Sequence, residues 1–471
     1  MQFPNINPII PEIILTILGL LILLFDVLIK KKEVIIIFSI FFIGAAFYSL
    51  PFSFGSTFNG MYSADSYSVF FKFTFLVILS LSILISIRYL KLENNFHGEY
   101  YALLVFATVG MMVMASARNL VLFYIGLELM ALSTYILAGF LRRDIRSTEA
   151  AVKYYLLGAF SSAILLYGIS LTYGMTGSMD LANIETYIIN NGLFSNKILL
   201  IAIVFFISAL GFKVAAAPFH MWTPDVYEGA PTSVTAFMSV GPKAAAFAFF
   251  GRLFLLAFPL IKADWALLLI PVSVLTMAVG NILAISQSNI KRMLAYSSIA
   301  HAGYVLLGII AGTNEGLSSM MTYLLIYVFM NIGAFSVVIM MKTEDSLGDK
   351  INDYRGLSHS HPVLALFMLI FMFALAGIPP TAGFIGKFYI FKALIDSGFV
   401  WVSVVALVFS VISAFFYLRI VVLMYMKEPE NDAKITFSLT NGVVLLISVA
   451  AVIYIGLYPE LFIEYAKLTL L

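Results

Sequence analysis

The chain has no cysteine among its 471 residues, which excludes disulfides, thiolate-ligated iron–sulfur clusters and cysteine-type zinc sites together. Charge is scarce. Asp, Glu, Lys and Arg make up 11% of the residues, and the formal net charge is +2. So small an excess, scattered in short basic clusters, is wrong for binding DNA or RNA. No lysine or arginine precedes the first apolar run in Met1-Gln-Phe-Pro-Asn-Ile-Asn-Pro8. The basic region of a secretory signal is therefore missing, and the first helix is expected to stay in the mature protein. No linker or low-complexity tract divides the chain, so residues 1–471 are expected to form one membrane domain.

What the sequence does have is apolar length. Hydrophobic residues account for 62% of the chain and the mean hydropathy is +1.02, far outside the soluble range. The fold class is an all-α polytopic membrane protein. A span needs about 20 apolar residues, and fourteen such runs are present, at 9–29, 34–51, 68–90, 98–115, 119–140, 149–173, 197–217, 232–257, 265–286, 293–312, 317–341, 362–397, 400–426 and 436–457. The twelfth contains Gly377-Ile-Pro-Pro-Thr-Ala-Gly383, which leaves 16 apolar residues before the interruption and 14 after it. Neither piece crosses alone, so one broken helix is the economical reading, its freed carbonyls turned toward protein or water.

Basic residues test this count, because Lys and Arg concentrate in cytoplasmic loops. Alternate connections hold Lys30, Lys31, Lys32, Arg88, Lys91, Arg142, Arg143, Arg146, Lys291, Arg292, Lys342, Lys350, Arg355, Lys427 and Lys434, which is fifteen of the 27. The opposite connections hold little beyond Arg118, Lys197 and Lys262. Both termini are thus expected on the outer side, and splitting the twelfth span in two would put Lys427 and Lys434 on the wrong one. Residues 180–191 read as an amphipathic segment at the outer surface.

Ionisable residues stranded in these runs carry the functional signal, since a charge at the centre of a membrane helix costs about 2.5 to 3.5 kcal/mol on insertion scales. Glu128 has nine helix residues before it and twelve after, too far for its side chain to reach an interface. It is either functional or a carboxylate that only ties two helices together. Lys243 follows Gly241-Pro242, eleven residues into its helix, and could snorkel only partway. Lys213 lies four residues before the end of an apolar run, where burial and snorkelling remain open. Lys387, in Gly383-Phe-Ile-Gly-Lys-Phe388, looks briefly like a phosphate loop, but the first glycine is absent and Phe388 replaces the magnesium-binding hydroxyl. A half-helix terminus beside an intramembrane lysine points instead to an ion site.

Lys153 stands near the cytoplasmic start of its helix, where snorkelling competes with function. His220 belongs to a stretch, Pro218 to Pro231, that reads equally as a loop or a re-entrant break. His301, nine residues into its helix, fits a proton relay or a hydrogen-bonded packing histidine. His359 and His361 stand two residues apart with no further ligand nearby, which argues against a metal site.

Four segments resemble the antiporter-like subunits of respiratory complex I, the N type of bacterial NADH:quinone oxidoreductase among them. They are Leu122 to Tyr135, Ala209 to Thr232, Lys291 to Tyr304 and Ala376 to Phe388. The resemblance implies two five-helix units of inverted topology, at about 98–257 and 265–426, each with one broken helix, near Pro218 and Pro379. It implies that Glu128 is the acidic partner on the fifth helix, Lys213 the paired lysine on the seventh, Lys243 the central lysine on the eighth, and Lys387 the lysine of the broken twelfth. His220, His301 and Lys153 match positions along the connecting path. The family's larger distal subunit continues into a long lateral helix, and this chain ends about fourteen residues after the fourteenth span, which favours the N type.

The resemblance further implies a subunit of a proton-translocating enzyme of the bacterial inner membrane, assembled with other membrane-arm subunits in the lipid bilayer. FMN, iron–sulfur clusters and quinone would belong to partner subunits; no cofactor, metal or redox chemistry is expected in this chain. Close approach of Glu128 and Lys213 would hold both charged, and separation would release a proton. Related subunits of chloroplast dehydrogenases and Mrp-type antiporters share parts of these motifs. A sodium/proton antiporter subunit is one alternative, but sodium calls for clustered carboxylates and carbonyls, not lysines. A passive membrane-arm scaffold is the other.

Overall fold

A computed structural model describes residues 5–29, 32–191, 197–343, 348–429, 435 and 438–469. Met1 to Pro4, Lys30, Lys31, Lys434 and the 436–437 start of the fourteenth run lie outside the described residues. The helices are α1 (Ile10–Leu28), α2 (Glu33–Ser49), α3 (Ser66–Leu92), α4 (Gly98–Ser116), α5 (Leu120–Ala138), α6 (Ile145–Thr176), α7 (Leu181–Asn191), α8 (Lys197–Val214), α9 (Trp222–Gly229), α10 (Thr232–Arg252), α11 (Lys262–Ile285), α12 (Ile290–Ala311), α13 (Asn314–Met341), α14 (Leu357–Ser360), α15 (Pro362–Ala376), α16 (Ala382–Asp396), α17 (Val400–Met426), α18 (Leu439–Leu457) and α19 (Glu460–Leu468). Among the described residues thirteen helices are long and apolar enough to span, and the α15–α16 pair supplies the fourteenth. The second span is followed by a short antiparallel hairpin, β1 (Gly55–Thr57) and β2 (Tyr62–Ala64), which hydropathy gives no reason to expect.

Local chemistry sets the helix ends. Asp65, Asn119, Asp144, Asn289 and Thr313 stand just before α3, α5, α6, α12 and α13, and each side chain accepts from a first-turn backbone N–H, satisfying donors a helix leaves free. Small residues set the closest packing. A Cβ on Gly110 of α4 would meet the Gly126 carbonyl of α5 at 2.6 Å, and one on Gly126 would meet that of Gly110 at 2.9 Å. In α11 and α12, Gly280 faces Ala300 and Gly303 faces Met277 in the same way. Such contacts suit membrane helices, which associate by close van der Waals packing.

The bundle has an inside. Over their most apolar windows α12 and α13 are 94% buried, against 28% for α17. α10 joins them at 89%, so three central helices are wrapped by others that face lipid. The basic connections collect at one end, where Lys91 pairs with Glu33, Lys342 with Glu93 and Arg142 with Glu99.

The expected run at 197–217 stops at Val214, and the chain turns over residues 215–221 before α9. The stretch from Pro218 to Pro231 is therefore a break followed by a two-turn helix. The backbone that the break frees is satisfied internally: Ala216 N–H bonds the Gly211 carbonyl at 2.7 Å, Ala217 N–H bonds Thr276 Oγ1 of α11 at 2.8 Å, and Trp222 Nε1 bonds the Phe212 carbonyl at 3.1 Å. The second break follows the same rule. Gly377 takes a positive φ of 87° and ends α15, its N–H bonding the Phe373 and Ala374 carbonyls at 3.0 Å.

Candidate functional site

Glu128 lies on α5, partly buried, and its Oε1 accepts from Ser162 Oγ of α6 at 2.5 Å. Lys213, in the last turn of α8, is 5% exposed and so does not snorkel. Its ammonium donates to the Tyr135 hydroxyl at 3.3 Å. Tyr135 stands seven residues beyond Glu128 on the same face of α5, about 10 Å along the axis. Glu128 and Lys213 stand apart: among the described residues no ion pair within 4.0 Å joins them. The hydroxyl of Tyr135 reaches this position because residue 158 of α6 is glycine, whose missing Cβ leaves the space it occupies.

Lys243 of α10 is 3% exposed, and its ammonium bonds the Ser298 hydroxyl at 2.5 Å and the Ser298 carbonyl at 2.9 Å, both on α12. The preceding Pro242 has no N–H to offer the Met238 carbonyl one turn back. The Tyr227 hydroxyl of α9 takes that carbonyl at 3.3 Å, which ties the broken helix to the lysine-bearing one.

One turn past Ser298 comes His301, 2% exposed. Its Nδ1 lies 2.5 Å from the Tyr323 hydroxyl of α13 and its Nε2 3.0 Å from the Tyr417 hydroxyl of α17. Tyr417 in turn bonds Ser297. His301 is thus held by tyrosines on two helices, between Lys243 and Lys387.

Lys387 of α16, 4% exposed, donates to the Leu375 and Ala376 carbonyls at 3.1 and 2.9 Å and to Ser410 Oγ of α17 at 3.0 Å, with the Tyr304 ring centroid 4.9 Å away. Those two carbonyls are the unsatisfied C-terminal end of the half-helix α15, the negative pole of its dipole. A break in the twelfth span thereby creates the site that holds a buried cation.

The remaining candidates sit elsewhere. Lys153 has a side chain 43% exposed and pairs with Glu149 at 2.8 Å and Asp225 at 3.0 Å. Arg292 binds the same Asp225 at 2.8 Å and Glu228 at 2.9 Å. These groups line an open cavity of about 320 Å³ at the basic end, away from the mid-depth row. His220 is buried in the first break, its Nδ1 without a partner among the described residues. A larger cavity of about 820 Å³, lined by Glu93, His97 and Arg142 among others, holds none of the mid-depth lysines. Among the described residues no group of three or more His, Asp or Glu is placed to hold a metal ion.

Sequence reasoning missed the neutral members of this row: Tyr135, Ser162, Ser298, Tyr323, Ser410 and Tyr417. Each is an ordinary residue of an apolar helix, and only the partner it meets marks it.

Residues 117–413 match the family described as NADH:quinone oxidoreductase/Mrp antiporter, TM, which makes this an antiporter-type membrane subunit; Glu128, Lys213, Lys243, His301 and Lys387 all fall inside the match. The chain belongs to the subunit N family of NADH-quinone oxidoreductases. It is 47% identical to the subunit N of Trichlorobacter lovleyi, over 99% of this chain and 97% of that one. To subunit N 2 of Rhizobium meliloti it is 50% identical, over 87% and 85%. It is similar to a chain of respiratory complex I from Thermus thermophilus, with a TM-score of 0.84, 33% identity and coverage of 97% and 100%. A chain of the Mrp complex from Dietzia, at 20% identity and a TM-score of 0.84 over 98% and 96%, shares the fold.

Proposed function

We propose that the chain carries protons across the membrane as the antiporter-like N subunit of NADH:quinone oxidoreductase, along a path of Glu128, Lys213, Lys243, His301 and Lys387. The observation that carries this reading is the burial of Lys213, Lys243, His301 and Lys387, with Glu128 partly buried, within reach of hydroxyls and carbonyls from α5 through α17. Such groups in hydrocarbon exchange protons with one another through side chains and internal water. The flavin, iron–sulfur and quinone chemistry belongs to partner subunits, and other membrane-arm subunits surround this one in the bacterial inner membrane. The Lys- and Arg-rich end faces the cytoplasm and both termini face out.

The arrangement seen here, with Glu128 bonded to Ser162 and Lys213 to Tyr135, is the separated state in which Lys213 passes its proton toward Lys243. Redox chemistry elsewhere in the complex alternates it with a paired state. A hundredfold change in proton affinity is worth about 2.7 kcal/mol, and moving one charge through 100 mV costs about 2.3 kcal/mol, so a change of neighbour suffices. His301 links Lys243 to Lys387, and Lys387 exchanges with the outer side. His220 and Lys153 act from the edges of the path. Two inverted five-helix units, 98–257 and 265–426, account for the two broken helices and for the paired glycine contacts of α4–α5 and α11–α12.

The test is proton-to-electron stoichiometry in the assembled complex carrying Lys213→Ala or Glu128→Ala; an unchanged ratio removes those residues from the path. Sodium dependence of pumping would favour an Mrp-type antiporter activity. Harmless replacement of Glu128, Lys213, Lys243 and Lys387 together by apolar residues would leave a scaffold.

A further inference from the structure

A second set of buried charges lies away from the mid-depth row, at the end where α1, α3 and α5 begin and α4 and α10 finish. Glu12 in the first turn of α1 is 5% exposed, Tyr62 of β2 1% and Lys72 of α3 0%. The Lys72 ammonium stands 3.0 Å from Glu12 Oε1 and donates to the Tyr62 hydroxyl at 2.7 Å and the Pro8 carbonyl at 3.3 Å. The Tyr62 hydroxyl donates to the same Glu12 Oε1 at 2.5 Å. Three groups thus form a closed triangle in which lysine and tyrosine share one carboxylate oxygen.

Next to the triangle, Arg252, 0% exposed at the end of α10, bonds Asp65 Oδ1 at 2.5 Å and the Ala115 carbonyl at 2.6 Å. Arg118 bonds the other Asp65 oxygen at 3.3 Å, and its side chain is 43% exposed at the rim. The hairpin is fastened here, Arg118 N–H bonding the Met61 carbonyl at 2.9 Å, and Ser116 Oγ lies beside the Tyr62 hydroxyl.

Three buried polar atoms of this cluster have no partner among the described residues: Glu12 Oε2, Arg118 Nε and Arg252 Nη1. A buried polar atom is costly to leave unpaired. An anion would meet the Glu12 carboxylate and a cation would meet Lys72 and two arginines. Water, which donates and accepts, satisfies both kinds of atom at once. Glu12, Tyr62, Asp65, Lys72 and Ser116 precede residue 117, where the match to the family model begins, and Arg118 and Arg252 fall inside it.

We propose that this cluster is a hydrated, protonatable site that gives protons a second way out, separate from Lys387, toward the end of the membrane opposite the basic loops. The inference rests on the reading of the chain as a proton-translocating subunit. In the step, a Lys72 N–H proton passes to the Tyr62 oxygen as the Tyr62 proton passes to Glu12, turning an ion pair into a neutral amine and a neutral acid. Glu12 then gives its proton to the water at Oε2 and becomes a carboxylate again. The hydronium moves past Ser116 toward the Arg118 rim, the exposed edge of the cluster. A proton arriving from the interior restores the Lys72 ammonium.

The experiment measures protons delivered per NADH oxidised by the assembled complex in sealed vesicles. Tyr62→Phe keeps both charges and the ring and removes only the bridging hydroxyl; a lowered ratio is expected, and an unchanged one overturns the proposal. Glu12→Gln with Lys72→Met together removes the ion pair at nearly constant volume and covers the case in which single charge removal blocks assembly; the ratio should again fall. High-resolution cryo-EM of the unsubstituted complex should show water density at Glu12 Oε2, and a dry contact there overturns the proposal as well. Lys213→Ala serves as the control. If it too leaves the ratio unchanged, the proton-translocating reading fails; if it alone lowers the ratio, only this inference does.

Discussion

Lys213 donates to the Tyr135 hydroxyl at 3.3 Å while Glu128, two turns away on the same face of α5, accepts from Ser162 at 2.5 Å. The tyrosine therefore occupies the place next to the ammonium that a carboxylate would take. Tyr135→Phe is expected to reduce pumping while leaving Lys213 buried, because the ring stays and only the polar contact goes. Proton-to-electron ratio in the assembled complex reads this, and a ratio equal to that of the unsubstituted complex would show that the hydroxyl has no part in the path.

Gly158→Ala places a methyl group where the Tyr135 hydroxyl sits. Overpacking of this kind costs about 1–3 kcal/mol, so thermal unfolding of the purified complex should begin at a lower temperature. Pumping should fall along with it, since the tyrosine must move off Lys213. Paired with Tyr135→Phe, which removes the clashing atom, much of the thermal loss should be recovered.

Ser298→Ala takes away the hydroxyl that lies 2.5 Å from the Lys243 ammonium and leaves the Ser298 carbonyl at 2.9 Å. A lost hydrogen bond to a charged group is worth about 1.5–3 kcal/mol. The variant should assemble and pump more slowly at a given rate of NADH oxidation. Ser298→Thr, which restores the hydroxyl, should pump better than Ser298→Ala.

Lys153 is bonded to two carboxylates at the exposed edge of an open cavity, whereas Lys213 is buried. Lys153→Ala should accordingly lower pumping much less than Lys213→Ala. Equal losses would place Lys153 in the path itself, and side-by-side stoichiometry decides between the two.

Asp349 stands at the basic end, beyond α13. Burial pushes its carboxyl above the ordinary carboxylate range, with Lys291 and Lys342 pulling the other way. An acid with a raised folded-state value stabilises the fold below its unfolded value, near pH 4, and loses that contribution as pH rises through the folded value. Asp349→Asn should therefore be at least as stable as the unsubstituted chain near neutral pH and should flatten the fall in stability on going up from about pH 4. Melting temperature of the detergent-solubilised protein across that range is the measurement.

Much of the fold and of the site is legible in the sequence. Long apolar runs set the spans, Pro379 and Pro380 mark the broken twelfth helix, and Glu128, Lys213, Lys243 and Lys387 are conspicuous because charge is rare in such runs. The burial of Lys213 is not legible, because its distance from a helix end does not say which way the side chain points. The first break hides in a stretch with a loop's composition, where α9 is too short for hydropathy to register. The two-turn α19 at the C-terminal end escapes for the same reason. Lys153 matches a position on the expected path, yet the structure gives it Asp225 and Glu149 as partners at an exposed edge.

The order of amino acids by itself determined that the chain lives in a membrane and how many times it crosses, because those outcomes follow from the cost of moving each residue out of water. Tertiary packing alone decided which neutral groups its rare charges meet. Partners such as Tyr135 for Lys213, Ser298 for Lys243 or the carbonyls of Leu375 and Ala376 for Lys387 come from different helices or from the two sides of a break. Hydrogen bonding is a matter of a few tenths of an ångström and of direction, neither of which composition along one helix can encode.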